Sequence, residues 1–459
     1  MVEESQLVAK RHIAVLAFPF ATHAAPLLGL VQRLSKAIPD AKFSFFSTAQ
    51  SNRSIFRNKG DDDDENENDN IIKPFDVEDG LPEDWVFSHA RPNEPVQAFL
   101  KIVPGNFRKA MEVAVAETGR RFTCLMSDAF FWFAGEMAME LQVPWVPLWT
   151  AGPLALLVHV ESDIIRQKII NDKRSSTDFL PGMSGIRPVD MPESILRDFE
   201  SPFSIMLYKM GLMLSQASAV ATNSFEELDP VAVNVLKSKL NNYLNVGPFA
   251  ITSEQPPPND PHNCLEWLDK QSPASVVYIS FGSVIQPPPQ ELATLAETLE
   301  TTGYPFLWSF RGNPDEKLPK GFIERIGEKG KIVPWAPQLQ ILGHESVGVF
   351  LTHCGWNSVL ESVIGGVPLI CRPFFGDQPL NMRIVDAVWE TGVGVDGGML
   401  TKDETIKALE LILCSEKGKK MREKLKAQKE LAFNAVKSGG SSDENFETLV
   451  EVVSRTSTS

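Results

Sequence analysis

The hydrophobic positions of the chain fall into short apolar runs separated by stretches with helical spacing. Near the amino end, the run HIAVLAFPF (residues 12–20) has the length and the β-branched content of a buried strand. The stretch PLLGLVQRLSKAI then places apolar residues at helical spacing behind a proline, and the run KFSFFST follows it. A strand, a helix and a strand at this spacing form a βαβ unit, so the pattern predicts an α/β fold.

A second α/β pattern begins near Cys264. The runs SVVYISFGSV, YPFLWSF, KIVPWA and VGVFLTH are typical of buried strands, and PPPQELATLAETLE predicts a helix entered through proline. The segment VGPFAITSEQPPPNDPHN is dense in proline and poor in apolar periodicity, which indicates a linker. We therefore predict Rossmann-like domains over 1–247 and 263–440, a linker over 248–262, and a C-terminal helix within 441–459 that packs back on the first domain. Two such domains enclose a cleft, and ligands bind beyond the carboxyl ends of its strands.

Composition and charge exclude several classes of protein. Asp and Glu outnumber Lys and Arg by 59 to 44, for a net charge of −15, which argues against nucleic acid as the main partner because phosphate binding relies on basic residues. The five cysteines are widely spaced and form no CxxC pair, so we expect reduced thiols, no zinc site and a cytoplasmic protein. We find no apolar stretch long enough for a transmembrane helix and expect no membrane insertion.

Two short motifs imitate functional sites but stand in the wrong context. Residues 392–397 (GVGVDG) match GxGxxG, yet a dinucleotide fingerprint follows a strand and opens a helix, whereas this segment follows a helical stretch and itself reads as a strand. This context disfavours a nicotinamide dehydrogenase. His353 directly precedes Cys354, but adjacent side chains point in different directions, so the pair does not suit a thiol protease. We predict Cys354 to be a small buried side chain.

The stretch from Trp335 to Gln378 carries the most specific motif of the chain, WAPQLQILGHESVGVFLTHCGWNSVLESVIGGVPLICRPFFGDQ. It closely resembles the signature box of plant secondary-product UDP-glycosyltransferases (glycosyltransferase family 1). The segments FPFATHAAPLL, SDAF, WTAGP, NSFEELD, VGPF and CLEWLD also look like that family, and most like its flavonoid and anthocyanidin 3-O-glucosyltransferases. The resemblance implies the GT-B fold, in which two Rossmann-like domains face each other across a cleft.

The middle of this box has the features of a diphosphate site. THCGWNSVLESV reads as a strand end, a glycine turn and a helix start with Asn357 and Ser358 in its first turn. A helix N-terminus offers free N–H groups and the positive end of the helix dipole, which suits a diphosphate. His353 stands beside that terminus and can donate a hydrogen bond or a charge to the same group. Ser283, in the turn after a predicted strand, would also touch the phosphates.

The resemblance assigns the rest of the UDP-sugar. It implies that Trp335 stacks on uracil, that Gln338 and Glu361 bind the ribose hydroxyls, and that Asp377 and Gln378 hold the sugar hydroxyls. A closing Gln accompanies glucose in this family, so we expect UDP-glucose as co-substrate and no bound cofactor. The predicted donor-binding residues are Thr22, Thr150, Ser283, Trp335, Ala336, Gln338, His353, Trp356, Asn357, Ser358, Glu361, Asp377 and Gln378.

The predicted reacting groups are His23 and Asp128. Each follows or ends a predicted strand of the first sheet, where a carboxylate can reach an imidazole, and FPFATHAAP resembles the family's catalytic-base segment. His23 would accept the proton of a phenolic or enolic hydroxyl while Asp128 fixes its tautomer. The oxygen would then attack the anomeric carbon of UDP-α-glucose in line and give a β-glucoside. The cleft segments contain no Asp-x-Asp motif, so we expect no metal.

The acceptor pocket is expected to be apolar and aromatic. The resemblance suggests candidate residues around the aglycone, namely Phe20, Asn93, Phe130, His159, Pro192, Phe203 and Phe375.

These observations favour a monomeric, inverting UDP-glucose-dependent 3-O-glucosyltransferase of flavonols or anthocyanidins. One alternative keeps the donor and mechanism but uses another phenolic acceptor, such as a stilbene, or another hydroxyl position. A second alternative, from a different class, is a non-catalytic nucleotide-sugar-binding protein. The presence of both His23 and Asp128 argues against it, because a binding protein needs no base.

Overall fold

Two parallel β-sheets organise the computed structural model, which describes residues 11–20, 22–56, 71–81, 94–253, 259–395 and 398–455. Asn93 lies outside the described residues. The strands of the first sheet are β1 (His12–Leu16), β2 (Lys42–Thr48), β3 (Ile72–Val77), β4 (Cys124–Asp128), β5 (Trp145–Trp149), β6 (Val220–Thr222) and β7 (Tyr243–Asn245). Those of the second are β8 (Val276–Ser280), β9 (Phe306–Ser309), β10 (Gly330–Val333), β11 (Val347–Thr352), β12 (Leu369–Cys371) and β13 (Gly392–Gly394).

The two sheets share the same strand order, and the first has one additional strand at its end. The first runs β3-β2-β1-β4-β5-β6-β7 and the second β10-β9-β8-β11-β12-β13, with neighbouring strands paired in parallel. The strand order reverses at β1/β4 and at β8/β11, which opens a crevice beyond the carboxyl ends of those strands. The predicted α/β fold with two Rossmann-like units is confirmed.

Helices connect the strands in each half. Those up to the end of the first sheet and just beyond it are α1 (Ala24–Ala37), α2 (Ala49–Phe56), α3 (Glu94–Thr118), α4 (Trp132–Leu141), α5 (Pro153–Val160), α6 (Ser162–Arg166), α7 (Glu193–Leu196), α8 (Pro202–Met213), α9 (Pro230–Lys239) and α10 (Phe249–Thr252). Those that follow are α11 (Cys264–Leu268), α12 (Pro289–Thr302), α13 (Pro314–Lys317), α14 (Phe322–Ile326), α15 (Gln338–Leu342), α16 (Trp356–Gly365), α17 (Gln378–Arg383), α18 (Lys402–Cys414), α19 (Glu416–Ala435) and α20 (Ser441–Ser454).

The core explains why the strands read as continuous apolar runs. Along β1, Ile13 and Val15 belong to the hydrophobic cluster on one face of the sheet, while Ala14 and Leu16 belong to the cluster on the other. All four side chains are fully buried. Helices cover both faces of a parallel sheet, so every position of a central strand is buried and no polar alternation remains.

The last helix, α20, returns to the first sheet. Phe446, Leu449 and Val452 lie in the same cluster as Ile13 and Val15. The Arg33 guanidinium stands 3.6 Å from the centroid of the Phe446 ring. The apolar face of α20 therefore covers the first sheet, although the helix follows the second sheet in the sequence.

The two motifs that imitate functional sites have the predicted contexts. Residues 392–394 form strand β13, which pairs with β12, so the first half of this match belongs to a sheet. Asp396 and Gly397 lie outside the described residues. Cys354 is fully buried, and all five cysteines are free thiols. Within the described residues, no helix combines the length and apolarity needed to cross a bilayer.

The segment over residues 175–198 is more ordered than its composition suggests. Its proline, glycine and serine content predicts a long surface loop, but the segment contains α7 and several buried polar anchors. The Thr177 hydroxyl lies 2.8 Å from the Met183 carbonyl and 2.7 Å from the Ile186 carbonyl, and Asp190 accepts two hydrogen bonds from the Arg187 guanidinium. The surface-loop prediction is therefore wrong in part, because local side-chain bonds replace regular secondary structure here.

A buried ion pair fastens α12 to the end of β12. Arg372 donates two hydrogen bonds, of 2.8 and 2.7 Å, to the two carboxylate oxygens of Glu291, and both side chains are buried. The Leu400 N–H donates a third bond, of 2.7 Å, to the same carboxylate. The Glu291 carboxylate thus supplies hydrogen-bond acceptors for a buried guanidinium and a buried backbone amide.

We expect Glu291→Ala to lower the free energy of unfolding by about 3–5 kcal/mol, because it leaves the buried Arg372 charge without a partner. Glu297→Ala on the same helix removes an exposed ion pair with Lys402 and should cost less than about 1 kcal/mol. Urea unfolding of both variants measures the difference. Equal losses would mean that the buried pair contributes no more than the exposed one.

Candidate active site

Three polar side chains meet at the carboxyl edge of the first sheet. Asp128 is the last residue of β4, Thr150 follows β5 directly, and His23 stands at the start of α1, after β1. The strands β1, β4 and β5 are neighbours in the sheet, so their carboxyl ends lie side by side. The topology thus brings His23 together with two residues that each lie more than a hundred positions later in the sequence.

His23 and Asp128 form a hydrogen-bonded dyad. The imidazole Nδ1 lies 2.7 Å from Asp128 Oδ2 and 3.1 Å from Thr150 Oγ1. The other carboxylate oxygen accepts a 2.9 Å bond from the Phe130 N–H, which fixes the plane of the carboxylate. A carboxylate can only accept, so Nδ1 carries the proton and Nε2 presents a lone pair. The Asp128 side chain is 2% exposed and that of His23 is 17% exposed, so only the imidazole is open to a ligand.

Aromatic rings surround the imidazole. The Phe130 ring centroid is 4.5 Å from that of His23, and the Phe18 centroid is 5.2 Å from it. Phe20 packs edge-to-face on Phe18 at 5.3 Å, and Phe203 on Phe130 at 5.6 Å. Three of the four predicted phenylalanines therefore belong to one apolar wall beside the base. Phe18, which the sequence does not single out among other buried strand residues, joins them.

The remaining acceptor candidates take other positions. His159 is buried behind this wall, with its ring 5.7 Å from Trp149, and burial lowers its pKa to about 4, so it is neutral. Pro192 is buried at the start of α7. Phe375 comes from the second domain and is 42% exposed. These three residues do not belong to the ring cluster around His23 described above.

The second sheet offers a helix N-terminus without a cap. Helix α16 begins after the β11 edge, and Gly355 at its N-cap position supplies no side-chain bond to the first-turn N–H groups. The His353 ring is sandwiched by glycines, because a Cβ on Gly282 would lie 2.7 Å from it and a Cβ on Gly355 2.5 Å from it. Free N–H groups, an imidazole and two glycines leave room for an anion to approach the backbone closely.

His353 is neutral in this arrangement. Burial and the nearby Arg311 guanidinium lower its pKa to about 4. Arg311 itself donates to the carbonyl of Ser283, the exposed residue in the turn after β8. The sequence leaves open whether His353 supplies a hydrogen bond or a charge, and the lowered pKa favours the hydrogen bond. The positive charge at this edge belongs to Arg311, a residue that sequence reasoning missed although it lies just beyond β9.

Gln338 and Glu361 form one polar network. The Gln338 amide donates to Glu361 Oε2 at 2.5 Å and to Ser358 Oγ at 3.0 Å, and its oxygen accepts from the Tyr278 hydroxyl at 3.2 Å. Burial raises the pKa of Glu361 to about 7, an effect that the Gln338 hydrogen bond partly offsets. Just before this network, Trp335 is 50% exposed, which leaves its indole available to a ligand, while Ala336 is buried.

Asp377 and Gln378 begin α17 under the loop that follows β12. The Gln378 amide oxygen accepts from the Phe374 and Phe375 N–H groups at 2.8 and 3.3 Å, so its NH₂ group is the part left for a ligand. Asn381 donates to Asp377 at 2.8 Å. Burial raises the pKa of Asp377, and the hydrogen bond from Asn381 partly offsets this effect.

Trp356 and Asn357 face the first domain. The Trp356 indole N–H donates to the Asn223 carbonyl at 2.8 Å, and Asn223 Nδ2 donates to Asn357 Oδ1 at 3.2 Å. The Trp356 indole nitrogen is therefore already bonded. The exposed Thr22 precedes His23 on the opposite edge. Asn223 is a second residue that sequence reasoning missed; its position directly after β6 is the signal that was available.

No group of three or more His, Cys, Asp or Glu side chains in the described parts of the chain is arranged to hold a metal ion.

The chain is similar to known proteins over nearly its whole length. The family model described as UDP-glucoronosyl and UDP-glucosyl transferase matches residues 209–427. A flavonoid 3-O-glucosyltransferase of Medicago truncatula is 53% identical over 96% of both chains, and an anthocyanidin 3-O-galactosyltransferase of Actinidia chinensis var. chinensis is 49% identical over 96% of this chain and 97% of its own. A crystal structure of a UDP-glucose: anthocyanidin 3-O-glucosyltransferase in complex with UDP superposes with a TM-score of 0.91, at 43% identity, over 98% of this chain and all of that one. This chain belongs to the UDP-glucuronosyl and UDP-glucosyl transferase family.

Proposed function

We propose that this chain transfers glucose from UDP-glucose to the 3-hydroxyl group of a flavonol or anthocyanidin with inversion at the anomeric carbon. The observation that carries the proposal is the His23–Asp128 dyad, which presents an unprotonated Nε2 among aromatic rings. A base in an apolar aromatic surround suits a flat phenolic acceptor with one acidic hydroxyl. Relatives named for 3-O-transfer to flavonoids and anthocyanidins support the same acceptor class.

The first step uses the dyad. His23 Nε2 accepts the acceptor's hydroxyl proton while Nδ1–H stays bonded to Asp128, whose charge stabilises the imidazolium that forms. The freed oxygen bonds to the anomeric carbon as the bond from that carbon to the diphosphate oxygen breaks. UDP leaves, and the carbon inverts from α to β. One proton moves to His23, one C–O bond forms and one C–O bond breaks.

The second domain would hold the donor. The uncapped N-terminus of α16, His353 and Ser283 suit the diphosphate, the Gln338–Glu361 network suits the ribose diol, and Trp335 suits the uracil face. Asp377 and the free NH₂ group of Gln378 suit the glucose hydroxyls. With these assignments residues 1–247 act as the acceptor domain, 263–440 as the donor domain and 248–262 as the linker between them.

The proposal includes no metal and no second subunit. The leaving diphosphate would be stabilised by the helix N-terminus and hydrogen bonds, and every assigned group comes from one chain. The five free thiols suit a reducing compartment, so we place the enzyme in the cytoplasm as a monomer.

A product assay tests the acceptor and the donor together. We expect purified protein with UDP-glucose to add one hexose to a flavonol and an anthocyanidin, but not to a flavone without the 3-hydroxyl or to a stilbene. Activity should persist in EDTA and fall with UDP-galactose. Chromatography with mass detection reads the products. Equal addition to the flavone would refute 3-hydroxyl selectivity, and binding of UDP-glucose without any transfer would refute the enzymatic role.

We expect His23→Ala to lower kcat by roughly 10²- to 10⁴-fold, because the acceptor oxygen then keeps its proton. Asp128→Asn should cause a large loss as well, since an amide that donates to Nδ1 moves the imidazole proton to Nε2. Calorimetric affinity for UDP-glucose should stay unchanged in both variants. His262→Ala, outside the proposed site, is the matched control; activity retained in His23→Ala would eliminate the base assignment.

We expect the affinity for UDP-glucose to fall as the pH decreases from 8 through about 7, the pKa of Glu361. In the proposed complex the ionised Glu361 carboxylate accepts hydrogen bonds from both ribose hydroxyls, so protonation of Glu361 opposes binding. At pH values well below the pKa, the dissociation constant should rise by up to about tenfold for each pH unit. Calorimetry without acceptor measures the dissociation constant. Glu361→Gln should bind more weakly but with a flat profile, and a wild-type profile as flat as that of the variant would disprove the assignment.

A further inference from the structure

Asn223 connects three parts of the molecule at the boundary between the domains. It follows β6 directly and is 5% exposed. Its Oδ1 accepts a 2.8 Å bond from the Phe249 N–H, in the segment that leaves the first sheet. Its Nδ2 donates to Asn357 Oδ1 at 3.2 Å, and its carbonyl accepts from the Trp356 indole at 2.8 Å. One residue of the first domain therefore contacts both the linker and the first turn of α16.

The close fit around this side chain fixes which way its amide points. A Cβ on Gly247 would lie 2.4 Å from Asn223 Oδ1, so the absence of a side chain there makes room for the amide oxygen. The Phe249 N–H is a donor and can pair only with the oxygen. Nδ2 is thus directed at Asn357 by the backbone of the linker.

The bond from Asn223 also fixes the orientation of the Asn357 amide. Its Oδ1 is occupied by the Asn223 donor, so its own NH₂ group is the end turned away from the first domain. Asn357 stands in the first turn of α16, whose N–H groups have no side-chain cap. An amide that presents NH₂ there adds a donor to the anion site, whereas the flipped amide would present an oxygen and repel a diphosphate.

We propose that Asn223 is a positioning residue for the donor: it orients the Asn357 amide toward the diphosphate and thereby makes this contact depend on the docking of the two domains. The inference rests on the proposed function, because it takes the α16 N-terminus to be the diphosphate site. The ligand class is a nucleoside diphosphate, with or without its sugar. The linker contact at Phe249 links the same amide to the segment that would bend in any domain motion.

Asn223→Asp tests the orientation. The introduced carboxylate still accepts the hydrogen bond from the Phe249 N–H. It has no donor for Asn357 Oδ1, so it would accept a bond from the Asn357 NH₂ group, and the Asn357 amide would turn round. We expect UDP to bind about tenfold more weakly, the value of one lost charged hydrogen bond. Uridine, which lacks the diphosphate, should bind as it does to the wild type. Asn171→Asp, an exposed site on the first domain, is the matched control for the added charge.

A double-mutant cycle separates orientation from repulsion. In the Asn357→Ala background the Asn223→Asp change should have no further effect on the dissociation constant of UDP. An undiminished effect there, or an equal loss for uridine, would overturn the proposal in favour of simple charge repulsion or misfolding. If thermal melting shows that Asn223→Asp does not fold, Asn223→Ala removes the donor without adding charge and should weaken the binding of UDP but not that of uridine. If the wild-type chain bound neither UDP nor uridine, the proposed function would fail instead.

Discussion

The carboxyl edges of two parallel sheets determine nearly everything about this molecule. Parallel strands all end at the same edge, so a polar residue placed after one strand meets the residues placed after its neighbours. In the first sheet this constraint assembles His23, Asp128 and Thr150 from three strands. In the second it places His353 beside the start of α16 and Ser283 in the turn after the neighbouring strand. The core supports this arrangement by burying both faces of each sheet, which fixes the positions of the strands and leaves their carboxyl ends available to ligands.

Burial determines the protonation of the polar groups at the carboxyl ends of both sheets. At the first edge the Asp128 carboxylate is shielded from water but bonded to both an imidazole and a backbone amide, so the imidazole proton is localised on one nitrogen. At the second edge burial lowers the pKa of His353 and raises that of Glu361. A neutral imidazole, an uncapped helix start and the Arg311 guanidinium together favour an anion at this edge. The two edges are thus complementary, one suited to accept a proton and the other to accept a leaving diphosphate.

Contacts between residues that are distant in the chain cannot be predicted from local sequence patterns. Hydrophobic spacing reports the faces of individual strands and helices, and short motifs report local turns, but neither reports which side chains meet across a domain boundary. Asn223 follows an ordinary short strand, and Arg311 lies in a loop; their importance comes from partners about 130 and 40 residues away. Hydrophobic spacing does not report the order of the segment 175–198 for a related reason, since that order depends on hydrogen bonds made by Thr177 and Asp190 rather than on periodicity.

The sequence by itself determined the fold class, the presence of two Rossmann-like units and the family, because continuous apolar runs, helical spacing and a 44-residue motif are local properties that survive without coordinates. It also identified His23 and Asp128 as strand-end residues of one sheet. Only the tertiary structure decided which nitrogen of His23 faces the cleft, that His353 is neutral, and that the Trp356 indole is bonded to the first domain rather than free. Those properties depend on burial and on partners distant in the chain, and burial exists only once the two sheets have folded and docked.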